Sequence, residues 1–143
     1  MSVASIQESL LTYTLRSNQL TLDVMNLQSY KELSICEQAD TSNLLNLNIN
    51  EIGEDFKALW ESNPELQEKY IDYTEIPEYT AEMNKIQAQF EMHLNELKLQ
   101  EDNYDRQMTT KNAEHEEVKS IMQSLRNTLS ASIKSEFQID AQS

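Results

Sequence analysis

The chain has 143 residues, of which 38% are hydrophobic and 7% aromatic. That is enough length for one domain, but too few large apolar side chains to fill a deep globular core. Its 25 acidic residues against 11 basic ones give a formal charge of −14, which argues against binding nucleic acid or an anionic membrane surface, because both require clustered Lys and Arg. The single cysteine, Cys36, excludes an intrachain disulfide and a thiolate metal cluster.

From Val3 onward, apolar residues recur at Val3, Ile6, Leu10, Tyr13, Leu20, Val24 and Leu27. This three-to-four spacing marks one seam of an amphipathic helix, interrupted at Ser17. A second series, Leu11, Leu15, Leu22 and Met25, lies about 100° further round the helix. Two seams call for more than one partner. Either Ser2 or Ser5 can cap the start, Ser5 with Glu8 at capping-box spacing.

The pattern weakens after residue 28, and this first helix is expected to end near Asn43. Residues 45–50, Leu-Asn-Leu-Asn-Ile-Asn, then alternate apolar and polar, which suits a short extended segment or a frayed continuation of the helix. The run resembles a calcium loop only superficially, because it offers Asn where that loop needs acids and Gly53 falls two places late.

The only Gly and both Pro residues, Gly53, Pro64 and Pro77, sit in one central window, and these are the residues costliest inside a helix. Within that window, residues 54–62 suit a short helix presenting Phe56, Leu59 and Trp60. Asn63-Pro64 reads as a cap with proline at the first helical position, opening a second short helix to about Asp72. Thr74-Glu75-Ile76-Pro77 repeats the device. The window holds five of the aromatics, Phe56, Trp60, Tyr70, Tyr73 and Tyr79. They form either a small core locking a helical turn or a recognition surface among acids.

Beyond Pro77 no breaker occurs, so residues 78–137 read as one long helix with a frayed tail at 138–143. Its apolar positions include Tyr79, Met83, Phe90, Leu97, Val118, Met122, Leu125 and Leu129 at coiled-coil spacing. The stretch 98–117 is nearly all polar, so it is either bathed by solvent or packed through polar contacts in an assembly. The expected fold is all-α. It is a long antiparallel helical hairpin of coiled-coil type, with arms at 3–43 and 78–137 and a tip at 44–77 carrying two short helices. Candidate interface residues are Leu11, Leu15, Leu22 and Met25 on the first arm and Val118, Met122, Leu125 and Leu129 on the second. The five aromatics form a candidate recognition tip.

Chemistry is poorly represented. His93 and His115 are the only histidines, and on one helix they stand about 33 Å apart, too far to share a metal. Glu114-His115-Glu116-Glu117 lacks the second histidine of a zincin, and no carboxylate precedes either histidine at di-iron spacing. One glycine cannot build a nucleophile elbow or a phosphate loop. No catalytic residue, cofactor or metal is therefore expected, and both histidines are expected to be polar seam residues. The first residues carry Glu8 without a preceding base, unlike a cleaved secretory signal, and nothing approaches the ~20 apolar residues of a membrane span. Synthesis in the cytosol is expected, with export lacking a cleaved signal as a further option.

The two breaker-free arms, 3–43 and 78–137, and the N-terminal run SVASIQESLLTYTLRSNQLT, rich in Ser, Thr, Gln and Leu, resemble the layout of bacterial secretion-system and flagellar axial proteins. That resemblance implies helical arms that self-assemble into filaments or rods. The alternative partner is a protein client, since flagellar and type III export chaperones are similarly small, acidic and helical.

Overall fold

A computed structural model describes residues 2–142. The described chain is all-α: α1 spans Val3–Ser62, α2 Pro64–Lys69 and α3 Pro77–Gln142, with a 3-10 turn at Tyr73–Glu75 before α3. Its described residues divide into two compact units, one comprising 2–30 with 103–142, the other Lys31–Asp102.

Several local expectations are corrected. α1 does not stop near Asn43; it runs 60 residues, through both the strand-like 45–50 run and the expected short helix at 54–62. The reason is that Leu45, Asn48, Ile49 and Ile52 also fall at helical spacing, and all four are half-buried on one side. Burial of that side outweighs the poor helix propensity of asparagine. Gly53 interrupts nothing, having no positive φ. α3 runs 66 residues to Gln142, so 138–142 continue the helix, and Ser143 lies outside the described residues. The second short helix ends at Lys69 rather than Asp72.

The caps follow local chemistry. Ser2 begins α1, its Oγ accepting from Ser5 N at 3.2 Å. Asn63 Oδ1 accepts from Glu65 N at 3.1 Å, with Pro64 at the first helical position of α2. Asp72 Oδ1 accepts from Tyr73 N at 2.7 Å and opens the 3-10 turn.

Along α1 the inward residues alternate at three and four within each unit: Ile6, Leu10, Tyr13, Ser17, Leu20, Val24 and Leu27 in the first unit, and Lys31, Ser34, Gln38, Thr41, Leu45, Asn48 and Ile52 in the second. On α3 the corresponding series is Leu94, Leu97 and Glu101 in the second unit and Tyr104, Met108, Lys111, His115, Val118, Met122, Leu125 and Leu129 in the first. These are the a and d positions of a seven-residue repeat, the pattern that keeps two helices in contact along a left-handed seam.

In the first unit α1 and α3 run antiparallel around a core of Leu20, Val118 and Met122, with Leu10 and Tyr13 packed against it. Polar seam positions bond across the pair. Ser17 Oγ lies 2.8 Å from His115 Nε2, and Arg16 Nε donates to Glu114 Oε1 at 2.9 Å. Asp23 is 3.4 Å from Lys111 Nζ, and the Tyr30 and Tyr104 rings are 5.9 Å apart. The second unit is a helical hairpin whose seam is more polar. Ser34 is buried and donates to the Leu97 carbonyl at 2.9 Å, and Gln38 Nε2 donates to Glu101 Oε2 at 2.8 Å. The polar stretch of α3 is thus packed through polar contacts within the chain, rather than bathed by solvent or covered only in an assembly. Among the described residues no buried side-chain nitrogen or oxygen lacks a partner, so these polar layers specify pairing at little desolvation cost.

Candidate interaction surface

The expected interface residues separate into two groups. Val118 and Met122 are 5% and 7% exposed and belong to the intrachain core, and Leu125 and Leu129 are half-buried on the same seam. Their spacing serves the partner helix of the same chain. Leu11, Leu15, Leu22 and Met25 are different: they are 61%, 61%, 52% and 60% exposed on the side of α1 turned away from α3.

The surroundings of that stripe are unusual for a chain of net charge −14. Between residues 3 and 30 the only ionisable side chains besides tyrosine are Glu8, Arg16 and Asp23. Arg16 and Asp23 are turned to Glu114 and Lys111 of α3, which leaves Glu8 as the charge on the outer side. The hydroxyls beside the stripe are spent on their own helix. Thr12 donates to the Glu8 carbonyl at 3.0 Å, Thr14 to Leu10 at 2.7 Å, Thr21 to Ser17 at 3.1 Å and Ser29 to Met25 at 3.1 Å. Covering this face therefore costs few water hydrogen bonds, while it removes large aliphatic side chains from water.

In the second unit the exposed apolar residues, among them Leu33, Leu44, Leu47 and Met92, do not form one stripe and alternate with acids. Three of the five tip aromatics instead pack on one another, and the other two are joined by a hydrogen bond. Tyr79 takes edge contacts from Phe56 at 5.6 Å and Tyr73 at 5.5 Å, and Trp60 Nε1 donates to the Tyr70 carbonyl at 3.2 Å. Ile76, 3% exposed, is the most buried residue here. All five rings are half-buried, so the cluster braces the return from α1 to α3 and shows only its rim. A cleft of about 400 Å³ beside it is lined in part by Asn50, Gly53, Lys57 and Tyr73.

His115 holds its expected seam position. His93 does not: it is exposed, 3.9 Å from Glu96 on the same helix, because its position falls outside the a and d series. Among the described residues no group of three or more His, Cys, Asp or Glu side chains is arranged to hold a metal, and no helix is long and apolar enough to cross a membrane. Cys36 is exposed. No protein-family profile, curated protein or solved structure matches this chain.

The polar members of the seam other than Ser17 and His115, namely Lys31, Ser34, Gln38, Thr41, Asn48, Glu101 and Lys111, escape a search for apolar periodicity. The signal that finds them is the seven-residue phase itself, carried forward from Ile6 and back from Leu129.

Proposed function

We propose that this chain is a non-enzymatic assembly protein that associates with further copies of itself through the outer stripe of α1. The observation carrying the proposal is the row Leu11, Leu15, Leu22 and Met25, each more than half exposed and bordered by hydroxyls bonded within the helix. Charge favours a second copy as occupant. Chains of net charge −14 repel one another, and α1 of the first unit is where that repulsion is weakest. A basic client would instead seek the acids, which are sparse here.

Full burial of a Leu or Met side chain contributes about 1.5–3 kcal/mol. Completing the burial of this stripe on both copies therefore yields roughly 7–14 kcal/mol gross, against an association cost of about 4–15 kcal/mol. The contact is accordingly weak for an isolated pair. The layout resemblance extends the proposal to an exported filament or rod subunit made in the cytosol. Sedimentation across concentration and ionic strength tests it: association that strengthens with added salt is expected, and a strict monomer at the highest soluble concentration refutes it.

A client-binding reading draws on one feature, the tip, where Ile71 is 87% exposed between acids Glu68, Asp72 and Glu75. An Ile71→Ser variant that loses a co-purifying basic protein while keeping its own association state favours that reading.

A further inference from the structure

The outer stripe has an internal symmetry. Its positions are Leu11, Leu15, Asn18, Leu22 and Met25, every one exposed, and the order is the same from either end: two apolar residues, one asparagine, two apolar residues. Asn18 is its midpoint. We infer that a second copy docks on this face with its α1 antiparallel, about a two-fold axis at Asn18. The inference rests on the self-association reading and specifies its partner and orientation.

In that arrangement Leu11 meets the partner's Met25, Leu15 meets the partner's Leu22, and the two Asn18 side chains face one another. Each amide offers both donors and an acceptor, so the pair satisfies itself across the axis. A lone asparagine in an otherwise apolar helix contact fixes register while lowering affinity, as a buried asparagine does in coiled coils. A two-fold contact is also the commonest way identical chains meet, with the same patch used on both sides.

A parallel pairing would bring Asn18 to Asn18 equally well, and charge decides between the two. Parallel in-register helices set Glu8 against the partner's Glu8. The antiparallel arrangement places Glu8 beside the partner's Ser29, whose hydroxyl bonds to its own Met25 carbonyl, and it opposes the two helix dipoles. In a chain already carrying −14, the arrangement without facing carboxylates prevails.

The test uses the full chain with Cys36→Ser and one introduced cysteine, Leu11→Cys in one preparation and Met25→Cys in another carrying a tag of different mass. Oxidation of each alone and of the mixture is followed by non-reducing electrophoresis, with sedimentation of the same samples. The mixed disulfide is expected to exceed either homodimer about tenfold, corresponding to an orientation preference of about 1.4 kcal/mol. Homodimers from each preparation alone, with no excess in the mixture, overturn the antiparallel arrangement while leaving self-association standing. An associated chain in which none of these pairs cross-links overturns the stripe as the contact, and a chain that sediments only as a monomer overturns the underlying reading as well. Asn18→Leu supplies a second readout: tighter association is expected, with the mixed disulfide still in excess because charge sets the orientation, and weaker association overturns the role given to Asn18.

Discussion

Leu20 and Leu15 lie on the same helix five residues apart, yet Leu20 is 0% exposed and Leu15 is 61% exposed. Leu20→Ala removes the centre of the cluster it forms with Val118 and Met122. Truncating a buried leucine costs about 2–5 kcal/mol, the value depending on how far the site can collapse. Here one partner helix lines the core, so the space opens to water and neighbouring side chains settle into it, which places the expected loss near the low end, about 2–3 kcal/mol. At a few degrees per kcal/mol for a chain of this size, the thermal midpoint should fall by about 10 °C. Leu15→Ala deletes the same atoms from a position already in water and substitutes a better helix former, so the isolated chain should change by less than ~0.5 kcal/mol. Urea unfolding followed by circular dichroism, at concentrations low enough to keep the chain dissociated, compares the two variants directly. Equal losses for both variants, or a Leu20→Ala chain indistinguishable from the parent, would refute the assignment of inner and outer faces of α1.

Gly53 lies within a continuous helix, and a Cβ added there meets nothing within 4 Å. Gly53→Ala is therefore expected to stabilise the chain by about 0.5–1 kcal/mol, visible as a raised urea midpoint; a loss would show that the helix needs glycine there. The Asp23 carboxyl is held below its ordinary value, first by the Gln19 amide and further by Lys111 and Arg16, against an opposing effect of burial. A lowered carboxyl stabilises the fold above its unfolded pKa and loses that contribution as pH falls through the folded value. Asp23→Asn should thus be less stable than the parent near neutral pH, with the difference shrinking below about pH 4, as thermal melts across that range would report. Trp60→Phe keeps a ring in the tip but removes the donor to the Tyr70 carbonyl, so a loss of about 0.5–1.5 kcal/mol is expected, measured by urea unfolding. No loss would mean that this hydrogen bond does not brace the turn. Asn63→Ala, which deletes the cap of α2, should cost about 0.5–2 kcal/mol by the same measurement.

The helical class was legible because Gly53, Pro64 and Pro77 are confined to one window and long apolar series at helical spacing flank it. The outer stripe was legible too, since Leu11, Leu15, Leu22 and Met25 stand a fixed rotation from the first seam whatever packs against it. Local chemistry likewise marked Asn63-Pro64 and Pro77 as helix starts. What the sequence left open was which apolar series would find its partner inside the chain. Val118 and Met122 read as candidate interface residues as readily as Leu11 did, and only packing against Leu20 placed them in the core of the chain. Residues 45–50 carry a period of two and a period near 3.6 at once, and the burial of Leu45, Asn48, Ile49 and Ile52 on one side selected the helix. Local propensity fixes what a segment can form on its own. Which of its faces is covered depends on residues distant in sequence, such as Ser17 with His115 and Ser34 with Leu97, and that pairing exists only once the helices have met.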